Sequence, residues 1–173
     1  MTGDGGRTVT LRDARPDDAP RLAEIWSTGW LDAHDGRVPD ALAAHRTPQS
    51  FVERAPGVVR HTRVAEVAGT VVGFAATVDD HVDQLYVDAS ARGTGVAAAL
   101  LADAARVAAE AGHVQPWLAV VPGNERARRF YERQGWSDEG PFDLRVDVAP
   151  GVGVDVPCRR YRLAGPGPSA ADG

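Results

Sequence analysis

No lysine occurs anywhere in the 173 residues; all 19 positive side chains are arginine. Mechanisms that need a side-chain amine, such as a Schiff base or a lysine on a phosphate, are excluded. Cysteine is nearly absent as well. The single thiol, Cys158, has no partner for an internal disulfide, and its apolar and arginine neighbours mark it as a packed residue rather than a nucleophile. No apolar run approaches the ~20 residues that a membrane span needs, and the polar, glycine-rich residues 1–6 do not resemble a signal peptide. A protein of the reducing cytoplasm is expected. Acids outnumber arginines by 24 to 19, a net charge of −5, so no basic field draws the chain to nucleic acid or to an anionic membrane.

What is present suits a single domain. Hydrophobic residues make up 43% and charged residues 25%, and the length suffices to bury a core without staples. The domain is expected over residues 8–164, with disordered tails at 1–7 and 165–173. Residues 8–12 read as a strand. Asp17 opens a helix in which Leu22, Ile25 and Trp26 recur at helical spacing, and Gly29 is expected to end or bend it. A second helical stretch follows over 39–54. Strands are expected over 58–67 and 70–78, turning at Ala68-Gly69, and over 81–87 after Asp79-Asp80. An alanine-rich helix fills 94–111 and stops at Gly112; then come a strand at 114–121 and a helix at 124–134 between Asn124 and Gly135. Strands at 142–148 and 156–163 finish the chain. The fold class is mixed α/β, a largely antiparallel sheet of about seven strands with about four helices.

The sharpest chemical feature is Arg92-Gly93-Thr94-Gly95-Val96-Ala97, where a strand gives way to the alanine-rich helix. The first turn of a helix leaves N–H groups unpaired and favours negative charge. Gly93 and Gly95 let an anion approach the backbone, and Arg92 can add a charge-assisted contact. By itself the segment reads equally as a tight connection without a ligand. A Walker A loop is excluded by the missing lysine, and a dinucleotide fingerprint by Ala98, where a third glycine would stand.

Together with Leu85-Tyr86-Val87-Asp88 before it, this segment resembles the pyrophosphate-binding motif of the GNAT superfamily of N-acetyltransferases: Arg or Gln, two residues, Gly, one residue, Gly or Ala. Downstream, Asn124, Ala127, Tyr131, Gly135 and Trp136 are similar to that family's Asn-x-x-Ala-x-x-x-Tyr-x-x-x-Gly-aromatic helix. The element order agrees over nearly the whole chain. The resemblance implies acetyl-CoA as co-substrate without a metal, and an acetyl transfer to a primary amine of a small molecule or peptide. It implies that Leu85, Tyr86 and Val87 offer backbone groups to the thioester and pantetheine arm, that Arg92, Gly93, Thr94, Gly95, Val96 and Ala97 hold the pyrophosphate, that Asn124 bonds the arm, and that Tyr131 lies beside the sulfur.

Transfer needs a neutral amine, an oxyanion donor and a proton for the departing thiolate. Tyr131 stands seven residues past Asn124, so both can face one groove; it is the expected acid. His81 and Asp83 share a strand face by period-two alternation and are the candidate bases, or else the solvated end of that strand. For the acceptor, Trp30, His34 and Asp35 are candidates from the early helices, with Trp26 read as core, and Asp143 and Asp155 stand on the far side. Acidic residues there would suit a cationic amine. Arg126, Arg128 and Arg129 read as a solvated helix face from which one side chain could reach a phosphate. A non-catalytic acyl-CoA sensor on the same fold is the rival reading, against which Tyr131 argues. An exposed edge strand among the last two would allow a homodimer.

Overall fold

The computed structural model describes residues 8–165; the tails expected at 1–7 and 165–173 lie outside them, except for residue 165. Strand β1 (Val9–Asp13) leads through a short 3-10 turn into helix α1 (Ala19–His34). Asp18 organises this entry by accepting from the Arg12 guanidinium and from the Arg15 N–H. The apolar stripe of α1, Leu22, Ile25, Trp26 and Trp30, is buried, as its three-to-four spacing requires.

Gly29 does not end α1, which continues to His34. A Cβ at residue 29 would stand 2.5 Å from Cδ1 of Tyr86, so the glycine is there to admit that ring. The stretch expected as one helix over 39–54 is two, α2 (Asp40–Ala43) and α3 (Pro48–Val58). Thr47 separates them because its hydroxyl caps α3, accepting from the Ser50 N–H at 3.2 Å, and Pro48 then occupies the first turn.

Strands β2 (Thr62–Val67), β3 (Thr70–Val78) and β4 (His81–Val87) form the meander. The β2–β3 turn uses left-handed Ala68 and Gly69. Helix α4 (Val96–Glu110) crosses to β5 (Trp117–Val120); α5 (Glu125–Arg133) leads to β6 (Trp136–Ala149) and β7 (Val152–Leu163). The last two strands are longer than the sequence pattern suggested. Pro141 interrupts the pattern of β6 but is tolerated because β6 is an edge strand. The sheet order is β1-β2-β3-β4-β5-β7-β6, antiparallel except for β4 beside β5.

Two apolar clusters cover the two faces. One gathers α1 and α3 around Trp26, Phe51 and Phe74; the other packs α4 around Leu100, Leu101, Leu118 and Tyr161, with Phe130 and Tyr131 of α5 at its margin. The result is three layers, helix on sheet on helix.

Candidate active site

The site begins with a defect in the sheet. Strands β4 and β5 run parallel, yet they are in register only at His81 and Trp117, fastened by the Trp117 N–H donating to the Asp80 carbonyl at 2.8 Å. Beyond that point they diverge. Leu85, Tyr86 and Val87 pair with β3 on one side only, so their other backbone edge faces a cleft of about 1240 Å³. An open strand edge beside a cleft is a template for an extended ligand.

A bulge between Ala76 and Thr77 of β3 pairs Gln84 and Val82 with consecutive residues, leaving Asp83 as the extra residue of β4. It breaks the strict alternation used to place His81 and Asp83 on one face, but the two still meet, Nδ1 to Oδ1, at 3.9 Å. His81 stacks flat on Trp117 at 3.9 Å. Burial outweighs the nearby acids Asp83 and Asp80, with a smaller push from Arg160, and holds the His81 pKa below its ordinary value. At neutral pH the ring is an uncharged proton acceptor.

At the other end of β4, a 3-10 turn intervenes before the glycine segment, with Asp88 accepting from the Ser90 N–H. Gly93 and Gly95 have φ of 73° and 87°, a left-handed backbone open to glycine at little strain. Gly95 caps α4. Gly93, Gly95 and Ala97 line the cleft. Val96 is buried, so only its backbone can serve an anion, and the Thr94 hydroxyl turns back to the Ala91 carbonyl. Arg92 borders the cleft but is held by Asp32 of α1, Nη2 to Oδ2 at 2.6 Å. No sequence signal pointed to that pair, whose members are 60 residues apart.

Helix α5 forms the facing wall. Asn124 caps it, its side-chain oxygen accepting from the Ala127 N–H at 3.2 Å, which leaves the amide NH₂ for the cleft. Tyr131 is on the same wall two turns on. Burial alone pushes its pKa up, so the hydroxyl stays protonated. Phe130 also lines the cleft and packs edge-on to Tyr131 at 5.2 Å. Of the arginine face, Arg128 bonds Tyr161 and Arg129 bonds Glu125, while Arg126 borders the cleft.

The acceptor candidates separate. Trp30 and His34 stack at 4.9 Å on the cleft wall, and the His34 ring bonds the Trp30 carbonyl at 3.0 Å. Asp35, Asp143 and Asp155 do not line the cleft: Asp35 is exposed past the last turn of α1, and the pleat of the β6–β7 hairpin turns the other two to solvent. In their place come Arg46 and Arg54, which the sequence reading missed. Cys158 is buried in the wall and its pKa is pushed up to about 11, by burial first, so it stays a thiol.

The glycine turn, the splayed strands and the Asn–Tyr helix define a class of protein, and comparison with known families agrees. The acetyltransferase (GNAT) family matches residues 15–136. The chain belongs to that family. It is 32% identical over 139 residues to an uncharacterized N-acetyltransferase of Mycobacterium bovis, covering 75% of this chain and 89% of the relative. It is 38% identical over 112 residues to the blasticidin-S acetyltransferase of Streptomyces morookaense, covering 60% and 76%. Among solved structures, yncA of Salmonella typhimurium, a putative acetyltransferase determined with acetyl-CoA, superposes with a TM-score of 0.63 at 19% identity, over 95% of this chain and 98% of that one. Among the described residues no helix is long and apolar enough to cross a membrane.

Proposed function

We propose that the protein moves the acetyl group of acetyl-CoA directly to a primary amine of a small molecule or peptide. The observation that carries this reading is Tyr131, a hydroxyl kept protonated by burial, on the cleft wall that faces the open edge of β4. The cleft fits the donor. Positive-φ glycines leave the first turn of α4 clear for phosphates, the edge at Leu85, Tyr86 and Val87 offers main-chain bonds, and the Asn124 amide stands beside them. Arg126 on the rim adds a cation for a phosphate.

In this reading His81, neutral and partly buried, takes the proton that the amine loses as its nitrogen bonds the acyl carbon. Asp83 beside it favours the imidazolium so formed. Tyr131 donates the proton that the sulfur gains as the carbon–sulfur bond breaks, so protons balance. A pure acyl-CoA sensor needs neither group.

The test is thiol release from acetyl-CoA over a panel of amines, with Tyr131→Phe beside the parent. General-acid catalysis is worth roughly 10²–10⁴ in rate. A fall in kcat of that order with unchanged acetyl-CoA affinity is expected. Equal rates would remove Tyr131 from the chemistry, and normal acetyl-CoA binding without release on any amine would favour the sensor.

A further inference from the structure

Two of the arginines that line the cleft, Arg46 and Arg54, are desolvated and have no acid partner among the described residues. Arg46 is 7% exposed, and no hydrogen bond or ion pair among the described residues holds its guanidinium. Burial, then the repulsion of Arg54, pushes its pKa down to about 10. Arg54 lies 4.4 Å over the Trp26 ring, and its Nη1 is buried with no hydrogen-bond partner. Elsewhere the chain pairs its half-buried guanidiniums closely: Arg63 with Asp103 at 2.6 Å, Arg159 with Asp138 at 2.6 Å, Arg12 with Asp18 at 2.8 Å. Arg160 also has a buried Nε without a partner, but it packs over Trp117 and Phe142 and does not line the cleft; two adjacent, desolvated, unpaired arginines on a cleft wall are costly to leave so. The stacking on Trp26 explains where Arg54 lies but satisfies none of its donors.

Their position separates them from the donor's phosphates. The acid that both feel is Asp83, and both act on the Tyr86 hydroxyl, which also feels Tyr131. That is the bulged part of β4, away from the Arg92–Asp32 pair at the glycine turn. Arg46 and Arg54 also line a second, smaller recess with the β6–β7 turn, residues 147–151. Asp83 and Asp147 border the cleft too, but Asp83 accepts from the Gln84 amide at 3.2 Å, and among the described residues no hydrogen bond joins either acid to Arg46 or Arg54. Leu42, Leu144 and Val156 supply apolar wall between.

We propose that Arg46 and Arg54 bind an anionic oxygen group, carboxylate or phosphate, carried by the acceptor, so that the amine acetylated belongs to an amino-acid-like or phosphorylated small molecule. This rests on the acetyl-transfer reading, and it reverses the expectation of an acidic pocket for a purely cationic amine. The planar guanidinium offers paired donors that match either anion.

The experiment measures kcat/KM on matched acceptors, phenylalanine against phenylalaninamide and O-phosphoethanolamine against ethanolamine, for the parent, Arg46→Met and Arg54→Met. The first pair reports on carboxylate and the second on phosphate. Calorimetry with N-acetylphenylalanine and N-acetylphenylalaninamide reads the recess independently of turnover. In at least one pair the parent is expected to prefer the anionic member by tenfold or more. Each substitution should erase about tenfold of that preference, the size of a lost charged hydrogen bond, while acetyl-CoA affinity and turnover of the neutral member stay within twofold. Equal use of neutral and anionic members by the parent overturns the proposal. So do variants that bind acetyl-CoA normally and keep the preference, or variants that lose acetyl-CoA affinity with the preference intact. Should Arg46→Met fail to fold, Arg54→Met, at a less buried residue, still decides. Selective binding of N-acetylphenylalanine without thiol release from any amine would support the anion recess and sink the transfer reading alone.

Discussion

His81 carries the most chemistry for one side chain. Its burial against Trp117 favours the neutral ring, so its folded-state pKa lies below the ordinary value of about 6.5. The rate on a given amine should therefore show a limb falling on the acid side of 6.5, apart from the acceptor's own titration at higher pH. His81→Gln should abolish that limb and lower kcat by roughly 10²-fold. A pH profile of kcat/KM for parent and variant is the check, and an unchanged acid limb would assign it to another group. Periodicity had suggested His81 and Asp83 as neighbours, and they are. It could not suggest the bulge that presents Asp83, nor Arg46 and Arg54. An isolated arginine in a helical stretch looks solvated, and only packing shows that it is not. For the same reason Asp35, Asp143 and Asp155 looked like pocket acids. Their orientation depends on where a helix stops and how a hairpin pleats, and neither is a property of the residue.

Among the elements, α1 shows how local rules and packing compete. Glycine inside a helix costs about 1 kcal/mol relative to alanine, which is why Gly29 reads as an end. The neighbouring ring decides otherwise. An alanine Cβ would press on Tyr86, which is itself packed on Phe74 at 5.9 Å. Overpacking of this kind costs about 1–3 kcal/mol, enough to cancel or exceed the propensity gain. Gly29→Ala should therefore fail to stabilise the protein and destabilise it by up to about 2 kcal/mol. It should also change acceptor KM, because Tyr86 lines the cleft; urea unfolding and initial rates together test this, and a stabilised variant with normal KM would contradict it. By contrast β3, β4, the cap at Asn124 and the helix stop at Gly112 were legible, since strand runs, N-cap chemistry and left-handed glycines act within a few residues. The short β5 and long β6–β7 hairpin were not, because pairing partners set their lengths.

At the scale of the whole molecule, one ionic cluster joins the layers. Asp103 on α4 is 8% exposed and meets Arg63 of β2 at 2.6 Å and Arg106 at 2.7 Å; Arg63 also reaches Asp13 of β1 at 2.8 Å. Burial pushes the Asp103 pKa up, but the hydrogen bonds from Arg63 and Arg106 outweigh it and the carboxyl titrates below its usual range. A carboxylate with a depressed folded pKa contributes stability that is present above about pH 4 and lost as pH falls through the folded value. His34 and His81, both with pKa lowered chiefly by burial, act earlier. As pH drops through about 6.5 the unfolded chain takes up protons that these rings in the native state refuse, so stability declines there too. Acid unfolding should thus proceed over two windows of pH with different owners. Asp103→Asn keeps the shape but removes the charge that Arg63 and Arg106 need. It should cost about 2–3 kcal/mol near neutrality, the scale of a hydrogen bond to a charged group, roughly 5–10 °C in Tm for a chain of this size. It should also make the lower window shallower, the remainder belonging to Asp18, Asp88 and Asp138, whose carboxyls also titrate below their usual range, while leaving the upper one in place. Thermal melts of parent and variant from pH 8 to 3 distinguish the two, and a variant whose melting temperature keeps the parent's full dependence below pH 4 would show that the cluster does not fasten α4 to the sheet.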